Sequence, residues 1–461
     1  TITLSMYWSW AIINLSNLQT KNNFDLENFF PNIEDEIRLK DQKIKIDYNN
    51  KKLLIIGRGS LITQKNPDEI EYRLEKNKDD YSFNINLDIS KSEFTIKPLN
   101  FFKKENSETL ININGNFFKN KLLFFDQVNI KNENNIINLK KIYFNENFEL
   151  KEIQKADFDF IDIDNLRNNL SLNKKNKNYE LKGKIFNVDK IIDSLIKDND
   201  KGKSNLIRKK FKIYVNIDKV HLGSDYFVRD LKGFLEFDDS KIIGAELNSF
   251  FENDDEQLNF TIKKIDDKKV TTFFSGKAKP LVNKYDFVKG FEEGSLDFYS
   301  ISSQNVSNSK LKIYDFKLKE LPALTKLLTL ASLQGIADLL SGEGIRFNEF
   351  EMNYENNNSL MKIDEIYAIG PAISILMEGY VERNKLISLR GTLVPATTIN
   401  KAIGSIPILG DILVGKKTGE GVFGVSFKVK GTPKNLETSV NPIKTLTPRF
   451  ITRTLEKIKK N

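Results

Sequence analysis

The stretch 81–89 reads Tyr-Ser-Phe-Asn-Ile-Asn-Leu-Asp-Ile, so Phe83, Ile85, Leu87 and Ile89 alternate with Ser82, Asn84, Asn86 and Asp88. Successive side chains of a strand point to opposite faces, and this spacing therefore gathers the apolar groups on one face and the polar groups on the other. A helix would scatter the same residues around its axis. The period of two returns at Ile44/Ile46/Tyr48, Ile111/Ile113, Phe211/Ile213/Val215/Ile217 and Leu258/Phe260/Ile262. It continues at Leu311/Ile313, Ile373/Ile375/Met377 and Phe423/Val425/Phe427/Val429. Turns rich in Asn, Asp, Lys and Gly, such as Asn49-Asn50 and Asp238-Asp239, join these runs, which predicts antiparallel meanders. The expected fold is mainly β: an elongated, twisted antiparallel sheet forming a groove, punctuated by short helices.

The first twenty residues carry no charge, which raises the question of a membrane helix. Ser, Thr and Asn interrupt them, and Ile2, Leu4, Met6, Trp8 and Trp10 alternate, so a strand is the better reading. Helical spacing appears at Ile191, Ile192 and Leu195 after Asn187, and more weakly at Phe24–Phe30 and Tyr285–Phe291. The best helix is predicted over Leu321–Leu340, where Pro322 suits the first turn and Gly342 the C-terminal cap. A second apolar patch runs over Ile399–Val414, and a C-terminal helix over Phe450–Lys460 carries Arg449, Arg453 and Lys457 on one stripe. These features divide the chain into an upstream remnant (1–30), two β-groove sections (31–200 and 201–320) and a C-terminal region (321–461).

Composition narrows the chemistry. The 461 residues contain no cysteine and one histidine, which excludes disulfides, thiolate zinc sites and multi-histidine metal sites. The net charge of +8 is small for this length and is not concentrated in a readable basic motif, so no nucleic-acid partner is expected. Asp157/Asp159 and Asp162/Asp164 resemble paired carboxylates, but they occupy the polar positions of an alternating run and read as a solvated strand face. His221 lies close in sequence to Ser224 and Asp225 without a nucleophile-elbow motif, and reads as a surface histidine near a turn. Gly57-Arg-Gly-Ser60 lacks the third glycine of a dinucleotide fingerprint and reads as a turn or bulge in a strand. Gly342-Glu-Gly344 and Gly419-Glu-Gly421 precede strands and read as turns. No catalytic residue, metal site or cofactor is expected, and the chain is read as a non-enzyme.

The block Leu311–Arg453 resembles the C-terminal region of AsmA-like envelope proteins of the YhdP type. The resemblance is carried by Leu-Ala-Ser-Leu-Gln-Gly (330–335), Ser-Gly-Glu-Gly-Ile-Arg-Phe (341–347) and Arg-Gly-Thr-Leu-Val-Pro-Ala (390–396). It continues in Ile-Pro-Ile-Leu-Gly (406–410), Gly-Glu-Gly-Val-Phe-Gly-Val-Ser-Phe (419–427) and Asn-Pro-Ile-Lys-Thr-Leu-Thr-Pro (441–448). Before about residue 310 the likeness is one of style alone. It implies a periplasmic protein, anchored in the inner membrane through a segment absent from this sequence, whose β-groove carries phospholipid toward the outer membrane and supports envelope integrity. The opening Thr1 fits a fragment of such a protein.

Alternation by itself leaves a lipid groove and a closed sandwich open, and the resemblance favours the groove. An apolar sheet face without a partner needs a cover, and acyl chains supply one at roughly 0.8 kcal/mol per buried CH₂. The groove-lining candidates are Phe83, Ile85, Leu87, Ile89, Phe423, Val425 and Phe427. Candidates for membrane contact are Leu327, Leu328, Ile406, Ile408, Leu409, Arg449 and Arg453, though packing on the sheet is the commoner role of such segments. The competing function is a structural or assembly module for outer-membrane biogenesis acting through protein contacts, with a polysaccharide-directed enzyme third. A sealed core would favour the module, and carboxylates clustered in a cleft the enzyme.

Overall fold

The computed structural model describes residues 2–6, 10–21, 29–192, 210–320, 324–325, 328–329, 343–395 and 424–443. Within these spans, 50–51, 79, 119–121, 147, 149, 224, 239–240, 253–255, 285–288, 305, 358, 384 and 433–434 are left out. The fold is mainly β, a twisted open sheet with short helices and no closed barrel among the described residues. The chain forms two compact units, residues 1–242 and 243–461.

The first unit opens with β1 (Ile2–Met6), β2 (Trp10–Lys21), β3 (Glu36–Asn49), β4 (Lys52–Ile62), β5 (Asp68–Asn77) and β6 (Asp80–Asp88). Residues 2–6 and 10–20 thus lie in strands, as the alternation predicts. A small hairpin of β7 (Phe94–Ile96) and β8 (Phe101–Lys103) then leaves the sheet. The meander resumes with β9 (Thr109–Phe117), β10 (Leu123–Asn132), β11 (Asn135–Phe144), β12 (Leu150–Ile161), β13 (Arg167–Lys175) and β14 (Asn178–Asn187). It closes with β15 (Phe211–His221) and β16 (Phe227–Asp238). Each strand pairs antiparallel with the next, and β9 takes its place beside β6.

One junction departs from the expected antiparallel order: β14 and β15 run parallel. A parallel neighbour needs a crossover that returns the chain to the starting end, and residues 188–210 between the two strands are long enough for it. The crossover begins helically at 189–192, where Asn187 Oδ1 accepts the Asp189 amide at 3.1 Å as a cap. That is the helix start read from Asn187, Ile191 and Ile192.

Twist is built into the strands by residues in the left-handed region, including Asp41 (φ 52), Lys141 (φ 54) and Asp230 (φ 55). The register slips beside Asp41, between Lys40 and Lys43. Such bulges increase local twist, and short polar side chains tolerate this conformation best. The Gly57–Ser60 motif lies inside β4, opposite that bulge. The Tyr72 ring lies over Gly57, where an added Cβ would come within 2.1 Å of Tyr72 Cζ. Gly115 similarly receives the Phe83 ring. A glycine beside an aromatic lets the ring lie flat on the backbone and fills the gap in the apolar row.

The second unit carries β17 (Lys241–Phe251), β18 (Gln257–Ile265), β19 (Lys268–Ser275), β20 (Lys289–Ser303), β21 (Val306–Glu320) and β22 (Ile345–Asn357). It continues with β23 (Leu360–Ile369), β24 (Ile373–Glu382), β25 (Leu386–Pro395), β26 (Gly424–Thr432) and β27 (Asn435–Ile443), all paired antiparallel in order. Part of its apolar face is a buried core, while Phe273, Phe298, Leu311 and Phe350 stay partly buried beside it. Phe291, Phe316 and Phe347 stack across three strands at 5.3 Å between centroids, and Leu324 and Leu328 pack into the same cluster from helical residues 324–325 and 328–329. The rest of the helix predicted at 321–341, the patch 399–414 and the helix at 450–460 lie outside the described residues.

Most of two short-helix readings, residues 24–28 and 285–288, lies outside the described residues, and a helical turn occurs at Lys279–Val282, where Pro280 suits the first turn. Phe291 instead sits on β20 and is buried. Residues 22–28 are not described, but Phe29 and Phe30 form a turn, with Phe30 in a hydrophobic cluster.

Candidate functional site

Pairing turns the alternation of single strands into continuous apolar rows across the first unit. One row runs Ile44–Gly57–Tyr72–Ile85–Ile113–Val128, each residue directly opposite the next on the neighbouring strand. It continues Leu139–Ala156–Leu172–Leu181–Val215. A second row holds Ile70, Leu87, Ile111, Ile130, Ile137 and Phe158, and a third Ile55, Leu74, Phe83, Gly115, Phe125 and Ile142. Edge-to-face packing of Phe83 on Phe125 (5.8 Å) and Phe125 on Phe144 (4.9 Å) ties the third row together.

The opposite face of the same strands is a ladder of amides and charges. Asn114 Nδ2 donates to Asn112 Oδ1 at 2.8 Å, Gln127 Nε2 to Asn138 Oδ1 at 3.1 Å, and Asn84 to Asn114. On this face Asp157 and Asp159 occupy the polar positions expected of them, with Lys155 at 3.2 Å from the first and Arg167 at 2.8 Å from the second. They line a shallow hollow of about 500 Å³ with Asp218 and Lys182. The carboxylates of Asp157 and Asp159 are held in these ion pairs. Among the described residues no group of His, Asp and Glu converges as metal ligands.

The groove candidates separate by their cover. Phe83, Ile85 and Leu87 are half-buried on one face of β6, beside half-buried Ile113, Val128 and Leu139. Ile89, with no exposed surface, lies under the β7–β8 hairpin, which closes over Ile111, Ile130, Ile137 and Phe160. In the second unit Val425 (0% exposed) and Phe427 (4%) are core residues rather than lining of an open face. Phe423 lies outside the described residues. Of the membrane-contact candidates, Leu328 is fully buried against the sheet. Leu327, Ile406, Ile408, Leu409, Arg449 and Arg453 lie outside the described residues. No described helix is long and apolar enough to cross a membrane.

Periodicity could not reveal a belt of buried polar groups along the end of the first unit's strands where the hairpin sits. Lys103, 2% exposed, donates through Nζ to the carbonyls of Ile89 (2.6 Å), Ser90 (2.9 Å) and Ser92. Beside it Asp68 accepts the Lys91 amide at 3.0 Å and the Ser92 hydroxyl. Burial pushes the Lys103 ammonium below and the Asp68 carboxyl above their ordinary ranges.

Two sequence readings fail in this belt. Asp162 is not on a solvated strand face: it lies in the β12–β13 turn, 5% exposed, and organises the loop. Its Oδ1 accepts the amides of Asp164 (3.0 Å) and Leu166 (2.9 Å), and its Oδ2 accepts Asn168 Nδ2 (3.1 Å) and Asn187 Nδ2 (2.8 Å). His221 is not on the surface either. It ends β15 opposite Asn187, 8% exposed, with Nδ1 unpartnered and its ring 5.8 Å from Phe227. The parallel β14–β15 pairing brings Asn187, and with it Asp162, against this strand end, which no local pattern encodes.

Burial, reinforced by Lys219, lowers the His221 pKa, while Asp162 opposes the shift. The folded protein therefore prefers neutral imidazole. Its stability is full above the ordinary histidine value and is lost as pH falls through the folded pKa. The drop in melting temperature between pH 7.5 and pH 5 should shrink in His221→Phe, which keeps a ring but cannot titrate. An equal drop in both proteins would remove His221 as the cause.

No family model, curated protein or solved structure matches this chain.

Proposed function

We propose that the first unit binds phospholipid acyl chains on its apolar face, and that the protein acts as a lipid-binding or lipid-conducting element of the cell envelope. The observation that carries this reading is the continuous apolar row through Ile85, Ile113, Val128 and Leu139, whose side chains are only partly buried even where they pack beside the cluster under the hairpin. Contact of this kind is non-directional, so a chain held there can slide along a row. The resemblance of residues 311–453 to AsmA-like proteins supports a periplasmic setting, an inner-membrane anchor and traffic between inner and outer membranes. The buried cluster of the second unit around Leu393 and Phe427 favours a structural part for that region, acting through protein contacts.

Ile85→Asp tests the proposal. The side chain is partly exposed, so a carboxylate there can reach water while obstructing hydrocarbon. Phospholipid that co-purifies with the protein should fall at least fivefold, with the melting temperature within about 5 °C of wild type, the shift for a cost of 1–2 kcal/mol. Undiminished lipid in a folded variant would overturn the reading.

A further inference from the structure

We infer that the polar face of the first unit is a second binding surface, and that it takes an uncharged polysaccharide chain laid across the strands. This face is the reverse of the one assigned to acyl chains, so the inference does not depend on the lipid reading.

Register aligns the polar side chains as it aligns the apolar ones. Asn86, Asn112, Asn129 and Asn138 stand directly opposite one another on β6, β9, β10 and β11. From Asn86 the row continues through Glu71, Arg58 and Lys43 to Asn14 on β2. From Asn138 it continues through Asp157, Ser171 and Lys182 to Asn216 on β15. No apolar residue interrupts it between those ends. Two hollows of this unit lie on the same row. One, of about 540 Å³, is lined by Asn14, Lys43, Arg58, Glu71 and Asn86. The other, of about 500 Å³, is lined by Asp157, Ser171, Lys182 and Asn216.

The centre of the row suits hydroxyl groups. Asn84, Asn86, Asn112 and Asn114 close a ring of hydrogen bonds: Asn84 donates to Asn114, Asn114 to Asn112 at 2.8 Å, Asn112 to Asn86, and Asn86 to Asn84 at 3.3 Å. An amide has two N–H groups and two acceptor lone pairs, so each member keeps one of each for a ligand. The ring also orients these side chains before anything binds. Beside it Asn129 is half-buried and makes no side-chain hydrogen bond to a described residue. Asn is unfavourable in strands, so four in register weaken the sheet and call for a use beyond folding. The hydroxyl and acetamido groups of a sugar chain each donate and accept, which matches what the amides leave free. Charge argues against a polyanion. In the first hollow Lys45 and Arg73 are paired with Asp47 and Glu75, leaving Lys43 and Arg58 beside Glu71. The second sets Lys182 and Lys184 against Asp157, Asp159 and Asp218. An extended peptide would add to a strand edge, not to a face.

The test titrates the full chain with two uncharged oligosaccharides, the hexamer of N-acetylglucosamine and maltohexaose, by isothermal calorimetry. At least one should bind with a Kd below about 1 mM. Asn112→Thr and Asn129→Thr each replace an amide by a residue that strands favour, and each should weaken that binding at least tenfold without lowering the melting temperature by more than a few degrees. Binding of neither sugar, or binding that both folded variants leave unchanged, would overturn the inference. Binding confined to an acidic glycan such as polygalacturonate, and lost in Arg58→Glu, would overturn it too, by placing recognition on the cations. Self-association of the chain without sugar, abolished by the same Asn variants in sedimentation, would put a second copy on this face instead.

Discussion

Phe427→Asp is expected to unfold the second unit. Phe427 is 4% exposed, sits opposite Gly391 and Val440, and packs in the cluster that contains Leu324, Leu328 and Leu393. The substitution removes a large buried side chain, at about 3–5 kcal/mol, and leaves an unpaired carboxylate in its place, which costs several more. A penalty of that order approaches the whole margin of about 5–15 kcal/mol that keeps a domain folded. The melting temperature of the second unit should fall by more than about 10 °C, or the protein should become insoluble. The contrast with Ile85→Asp is the informative part, because both residues look alike in the sequence and differ only in what covers them. If the two variants melt together, the distinction between an open face and a closed core is wrong.

Asp162→Ala is the second large effect. Each of its oxygens accepts two hydrogen bonds, and its loss strips an acceptor from the Asp164 and Leu166 backbone amides and one of two acceptors from each of the Asn168 and Asn187 side-chain amides, which keep the Leu166 carbonyl and the Asp164 carboxylate. Unsatisfied buried groups cost about 1–3 kcal/mol each, so a total near 3–5 kcal/mol is expected. Asp162→Asn, which keeps the shape and one acceptor oxygen, should cost less. Urea unfolding followed through the first unit measures both, and equal stability of Asp162→Ala and wild type would show that the turn does not depend on the carboxylate. Under the sequence reading of a solvated aspartate, the alanine variant would be silent.

That reversal marks the limit of local pattern. Alternation at 81–88, 211–217 and 424–429 falls on strands, because the period-two signal needs only the residue's own neighbours. The helix start at Asn187 was legible for the same reason. The bulge opposite Gly59 was legible only as irregularity, since what fills the space is Gln42 from another strand.

The sequence by itself determined a mainly β chain with one apolar and one polar side to each strand, since side-chain direction in a strand is a local property. It also determined that no thiol or multi-histidine chemistry is available, which follows from composition alone. Register decided that Ile85, Ile113, Val128 and Leu139 form one row, because direct opposition depends on how strands far apart in sequence slide against each other. Cover decided the rest. Ile85 stays partly exposed while Ile89, four residues on, is sealed by a hairpin pinned through Lys103, and Phe427 is buried in the cluster that also holds Leu324 and Leu328. An apolar side chain carries no mark of whether protein or another molecule will cover it. Only the packing of distant segments settles that.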